Sequence, residues 1–137
     1  MKVYSKFTTK HKVRPDDIDM FKHVHNSIYL DYVLAARYEQ MEECYGMSMD
    51  KFLELGYGWV VQRVQVEYKR PLKLGDTFSV ETGIISIAER GCKVEFEITN
   101  LSTHKISASG WFDFVMIDLK TGRGAIIPDA IIAHYSI

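Results

Sequence analysis

At Gly56 the period of the apolar residues switches from helical to alternating and stays so, and that change limits the folds open to this chain. Upstream, Tyr29, Tyr32, Val33, Ala36, Gln40 and Met41 recur at three- and four-residue steps, with Ile28, Ala35 and Cys44 widening the stripe, as in one long helix with a broad buried face. Downstream, Phe78, Val80, Thr82 and Ile84, then Val94, Phe96 and Ile98, then Ala108, Phe112, Phe114 and Met116 stand on alternating positions, as in strands with one face inside. A lone helix with so wide an apolar face needs cover on several sides, and a sheet that curls around it supplies that cover. The expected class is α+β, with an antiparallel sheet of about five strands wrapped around one long central helix.

Local signals set the boundaries. Residues 3–14 alternate, with Phe7, Thr9, His11 and Val13 opposite Lys6, Lys10, Lys12 and Arg14, which predicts a half-exposed strand ended by Pro15. Asn26 or Ser27 can cap the helix by offering a side-chain oxygen to the first-turn N–H groups, and Gly46 stops it beyond Tyr45. Residues 48–55 predict a short second helix closed by Gly56, after which Val60, Gln62, Val64, Val66 and Tyr68 form a strand that stops at Arg70-Pro71. Turns at 72–76, 89–91 and 100–105 join the strands from there, so four of them are expected to form a meander, followed by a C-terminal tail after Thr121-Gly122-Arg123-Gly124. The open edges of such a sheet predict self-association, as a homodimer or homotetramer.

The 137 residues fit one compact domain, 1–137, with no repeat or linker. With 17 basic and 18 acidic residues there is no global charge to attract nucleic acid or an anionic membrane, so an anionic ligand must be met locally. Cys44 and Cys92 are too few for a disulfide framework and lack metal-binding spacing, so they are expected as core thiols in a reducing compartment. No apolar leader or membrane-length run is present, and a soluble, cytoplasmic protein is expected.

The chemistry is concentrated immediately before the long helix. Between Arg14 and Tyr29 lie Asp16, Asp17, Asp19, His23, His25 and Asn26. Acids and imidazoles beside a helix N-terminus, where unpaired N–H groups and the macrodipole favour negative charge, suit acyl transfer.

These residues carry a resemblance. Asp17-Ile18-Asp19, then His23-Val24-His25-Asn26, Tyr29-Leu30, Ala36-Arg37, Tyr68-Lys69-Arg70-Pro71 and Gly75-Asp76, in that order, resemble the hotdog-fold thioesterases, in the branch of 4-hydroxybenzoyl-CoA thioesterase-like and plant acyl-carrier-protein thioesterases. The resemblance implies a helix wrapped by an antiparallel sheet, a dimer or tetramer, and hydrolysis of an acyl thioester without metal or cofactor. It places the family's acidic residue on Asp19, as nucleophile or as base for water. The chain departs from the family's Gly-His-Val-Asn-Asn at Lys22 and His25, and has Phe21 where plant-type members carry an amide. If position 22 takes positive φ, lysine carries a conformational cost that glycine lacks, and His25 introduces a titrating group.

A thioester carbonyl needs an aimed oxygen nucleophile and a donor for the oxyanion. The expected catalytic set is Asp19, the backbone N–H of Asn26 as oxyanion donor, and His23 on the loop or the substrate carbonyl. Tyr29, Gly58, Lys69, Arg70 and Arg90 are expected to bind substrate, the cations at the phosphates of coenzyme A. Each has a plainer reading: aspartates as turn formers, Tyr29 as core, Arg37 paired with an acid, the surface cations solvated. Two other functions compete. Asp17, Asp19, His23 and His25 could ligate a divalent metal, or the fold could bind an acyl thioester or serve as an assembly subunit without turnover; within the thioesterase reading, acyl-CoA is the expected substrate and an acyl carrier protein the alternative.

Overall fold

The computed structural model describes residues 3–137. Strand β1 (Lys6–Lys12) leads through a 3-10 turn (Pro15–Asp17) to α1 (Asn26–Glu43) and the short α2 (Met49–Glu54). Strands β2 (Tyr57–Tyr68), β3 (Thr77–Ile87), β4 (Gly91–Asn100) and β5 (Lys105–Asp118) follow, and α3 (Asp129–Tyr135) ends the chain. All pairings are antiparallel, in the order β1-β3-β4-β5-β2.

The sheet wraps α1 as its periodicity requires. Tyr29, Tyr32, Val33, Ala36, Gln40 and Met41 are all buried; the first four pack with Phe78, Val80, Phe96, Ile98 and Phe112 from the inner faces of β3, β4 and β5, and Met41 with Ile84, Val94 and Met116. Each such large apolar side chain contributes roughly 1.5–3 kcal/mol by leaving water. This is the hotdog arrangement that the sequence resemblance implies. Inside it, a polar network fixes the roll of the helix: the Thr82 hydroxyl donates to Gln40 Oε1, Gln40 Nε2 donates to the Val80 carbonyl at 3.4 Å, and Arg37 Nη1 donates to Thr82 Oγ1 at 3.0 Å. Arg37 is thus buried among hydroxyls, with a second bond to Tyr45 Oη at 3.2 Å, rather than paired with an acid as expected from sequence.

Three further expectations are corrected. The strands do not form a four-strand meander, because β2 pairs with β5 and not with β3. The connection 69–76 therefore crosses the end of the sheet, passing the start of α1, where the Leu72 N–H donates to Tyr29 Oη at 2.8 Å and the Val24 N–H to the Leu72 carbonyl at 2.9 Å. Close β2–β5 packing depends on Gly110, since a Cβ there would lie 1.8 Å from the Gln65 carbonyl oxygen. Next, the tail contains α3, whose Ile131 and Tyr135 are buried against Met47, Phe52 and Ile84. Finally, α1 is not capped by an Asn26 or Ser27 side chain: His25 is the N-cap, extended at φ −58° and ψ 140°, and no side chain caps the helix.

Candidate active site

The loop from Asp17 to His25 folds back on itself through its own backbone. The Asp19 N–H donates to the His23 carbonyl at 2.8 Å, and the Lys22 N–H donates to the Asp19 carbonyl at 3.0 Å. The reversal places Lys22 in the left-handed region at φ 64°, the position where the sequence pattern substitutes lysine for glycine. Asp19 Oδ1 closes the turn by accepting the N–H groups of Phe21 (2.8 Å) and His23 (3.2 Å). Partial desolvation pushes its carboxyl up, but those N–H groups and the imidazoles of His23 and His25 outweigh this and hold it below the ordinary aspartate value of 3.8. Asp19 is therefore a carboxylate at neutral pH, with one oxygen anchored in the loop.

Asp17, the first acid of the pair, is structural. It is 3% exposed, accepts the Tyr32 hydroxyl at 2.7 Å, and meets the Arg14 guanidinium at 3.3 Å. Burial opposes its ionisation, and the bonds from Tyr32 and Arg14 prevail, holding its carboxyl below 3.8. Its backbone carbonyl accepts the His25 N–H at 3.1 Å, so one residue ties the loop to the side and to the start of α1. With Asp17 committed in this way, the metal reading loses a ligand, and among the described residues no three His, Cys, Asp or Glu side chains converge to hold a metal ion.

Behind this loop the helix presents free donors. The first backbone bond at its start runs from the Ile28 N–H to the His25 carbonyl at 2.9 Å, and among the described residues the N–H groups of Asn26 and Ser27 have no acceptor. A cleft of about 420 Å³ opens here, between the loop, the first turn of α1 and the end of β2. It brings together Asp19, His23, Asn26, Tyr29, Lys69 and Arg70. Tyr29 is buried, and its hydroxyl oxygen serves as acceptor for the Leu72 N–H. Lys69 and Arg70 are exposed at the rim, their backbone N–H groups held by the Ser107 carbonyl at 2.8 and 3.2 Å.

Two expected residues lie elsewhere in the chain. Gly58 is at the far end of β2, where it gives room to the Leu119 side chain, which a Cβ would approach at 3.2 Å. Arg90 sits in the β3–β4 turn at that same end of the sheet, its stem beside Gly124. Conversely, Tyr68 belongs to the cleft and was not singled out: its hydroxyl donates to the Asn26 carbonyl at 2.9 Å and its ring meets Tyr29 edge-on at 5.4 Å. The sequence signals that point to it are its place at the end of an alternating strand, next to two cations, and its inclusion in the ordered motif Tyr68-Lys69-Arg70-Pro71.

Comparison with known proteins agrees with this construction. Residues 13–134 match the family model described as the thioesterase-like superfamily. The long-chain acyl-CoA thioesterase FadM of Escherichia coli (strain K12) is 27% identical over 115 residues, 84% of this chain and 86% of that protein. Among solved structures, a 1,4-dihydroxy-2-naphthoyl-CoA thioesterase from Synechocystis superposes with a TM-score of 0.86 at 17% identity, over 96% of each chain. A Staphylococcus aureus protein solved in complex with CoA gives 0.81 at 20% identity, over 99% of this chain and 87% of that one. The chain belongs to the thioesterase-like superfamily, and thioester hydrolysis is the chemistry its family assigns to it.

Proposed function

We propose that this protein hydrolyses an acyl-CoA thioester to the free acid and CoA, with Asp19 as nucleophile or general base and the Asn26 N–H as oxyanion donor. The observation that carries the reading is the shared cleft: an ionised carboxylate with one oxygen uncommitted faces the same space as backbone donors that lack an acceptor. Attack on the carbonyl carbon places negative charge on the carbonyl oxygen, and the helix N-terminus is already polarised to receive it. The C–S bond then breaks: with Asp19 as base, the proton it took from the attacking water passes to the CoA thiolate; with Asp19 as nucleophile, water cleaves the acyl–aspartyl anhydride and supplies that proton; no metal or cofactor is required. His23 braces the Asp19 turn through its N–H, and Lys69 and Arg70 at the rim are the local cations for the phosphates of CoA.

The working unit is proposed to be a homodimer or homotetramer of this single domain, joined through the open edge of β2. Val60, Val61 and Val64 there are 39–45% exposed, an apolar edge without the lysines that guard β1. Two copies paired antiparallel across that edge would bring the partner subunit's Gly58 end of β2 towards this protomer's Tyr68 end. Free thiols at Cys44 and Cys92 suit a cytoplasmic setting, and among the described residues no helix is long and apolar enough to cross a membrane. An acyl-carrier-protein substrate, or binding without turnover, are the competing readings. The overall balance of 17 basic and 18 acidic residues provides no global attraction for an acidic carrier, which favours CoA.

The test is Asp19→Asn, assayed by free-thiol release from acyl-CoA and acyl-carrier-protein panels. An amide oxygen can still accept from Phe21 and His23, so folding should survive while kcat falls at least about a hundredfold. Undiminished turnover would reject Asp19 as the reacting group, and thiol release confined to carrier-protein substrates would reject the CoA assignment.

A further inference from the structure

Away from the cleft, along α1, is a cavity of about 280 Å³, room for about nine groups the size of a water molecule. Leu34 and Met41 of α1, Ile87 and Cys92 of the sheet, and Ile131 and Ile132 of α3 line it. Its polar side chains have bonding partners of their own. Arg37 Nη1 donates to Tyr45 and Thr82, the Tyr135 hydroxyl to the Met47 carbonyl at 2.6 Å, and the Tyr38 hydroxyl to Asp50 at 3.3 Å. Burial pushes the Cys92 thiol up to about 11, so it stays uncharged. The surface facing the space is almost wholly apolar.

The cavity and the cleft lie along the same helix. Asn26, Leu30, Leu34 and Tyr38 follow at four-residue steps and so share one flank of α1. Asn26 lines the cleft, Leu30 is half-buried, and Leu34 and Tyr38, 38% and 44% exposed, form the mouth of the cavity. At about 1.5 Å of rise per residue, Leu34 lies roughly 12 Å along the axis from Asn26 and Met41 roughly 22 Å. An extended hydrocarbon advances about 1.25 Å per carbon, so it reaches the mouth after about ten carbons and the far wall after about eighteen.

We propose that this cavity receives the distal end of a long, unsubstituted acyl chain whose thioester lies in the Asp19 cleft, with α3 as its end wall. The proposal rests on the acyl-thioester reading of the cleft and names the class of acyl group it takes. An oxygen on the far end of the chain would lose its water among walls that are almost wholly apolar, whereas each methylene buried there tightens binding by up to about fourfold. The chemistry therefore selects long aliphatic acyl groups over short ones and over chains ending in a hydroxyl.

Non-hydrolysable S-alkyl thioethers of CoA test this without depending on turnover. Calorimetric titration should show S-hexadecyl-CoA binding at least tenfold tighter than S-decyl-CoA, and its 16-hydroxy analogue at least tenfold weaker than S-hexadecyl-CoA. Ile132→Trp, which fills the cavity from α3, should abolish the advantage of sixteen carbons over ten. Met49→Trp fills it from α2 and serves if Ile132→Trp fails to fold, as judged by thermal unfolding. Equal affinity for the ten- and sixteen-carbon thioethers in the native protein overturns the proposal, as does an advantage that survives in a folded tryptophan variant. Length-dependent binding without thiol release from any acyl-CoA would sustain the tail site and reject hydrolysis. Thiol release with length-independent binding would do the reverse.

Discussion

At its N-terminus α1 meets a loop that holds Lys22 at φ 64°, an ionised aspartate in a buried position, and two backbone N–H groups without acceptors. At its C-terminus the same helix is closed conventionally: the Cys44 N–H bonds the Gln40 carbonyl, Gly46 takes φ 72°, and Met47, Phe52 and Tyr135 pack around the end. One end is strained and polar, the other relaxed and apolar. Residues in costly conformations persist only where the surroundings over-determine them, so the well-packed end permits the strained one. The two ends should consequently fail differently when altered.

The largest effect on folding is expected at the apolar end. Phe52 is fully buried, with Trp59 edge-on at 5.6 Å and Tyr135 at 5.8 Å. Phe52→Ala should cost about 3–5 kcal/mol in urea unfolding, while turnover per folded molecule changes little. That is the opposite signature to Asp19→Asn. If both substitutions lower stability and turnover together, the two ends are one cooperative unit and the contrast fails.

At the polar end the buried anion decides the outcome. Tyr32→Phe removes one hydrogen bond to the Asp17 carboxylate and should cost about 1.5–3 kcal/mol, as for other bonds to charged groups. Because Asp17 and Asp19 both titrate below 3.8 in the folded chain, the unfolded chain binds more protons in acid. Their contribution to stability is complete above the ordinary aspartate value and is lost as pH falls through the lower native values. Unfolding followed from pH 6 to pH 2 should show a smaller acid loss in Asp17→Asn than in the native chain. An identical loss would remove Asp17 from the account.

The legibility of the two ends differs for the same physical reason. Burial of one face writes a period into a sequence, and all six residues read as the inner stripe of α1 are buried, as are Phe78, Val80 and Thr82 on β3. Period says nothing about which strand is the neighbour. The alternation of β2 is the same whether it pairs with β3 or crosses to β5, and the crossing depends on bonds of the 69–76 connection to α1 and β5. The seven residues of α3 are too few to display a helical period against a tail. In the site, the role proposed for Asp19 rests on an ordered resemblance, since no period marks a reacting group. The capping expectation failed because Asn26 and Ser27 are common caps by residue type, whereas position is set here by the His25 N–H reaching the Asp17 carbonyl.

The smallest effect sharpens the comparison most, because it tests strain without removing a contact. Lys22 is exposed, its side chain makes no ion pair among the described residues, and its backbone is fixed by bonds from its N–H to Asp19 and to its carbonyl from Leu74. A left-handed conformation costs a non-glycine residue roughly 1–2 kcal/mol, of which the greater freedom of unfolded glycine returns part. Lys22→Gly should therefore stabilise the fold by about 1 kcal/mol or less, read as a higher urea midpoint at unchanged slope. The matching change at the relaxed end, Gly46→Lys, imposes the same strain on the other terminus and should destabilise by a similar amount. If Lys22→Gly also lowers hydrolysis without weakening the fold, the stiffness of lysine at this turn is what holds the Asp19 carboxylate in place. If hydrolysis is unchanged, the strain is a cost of the loop's shape that the reaction does not use.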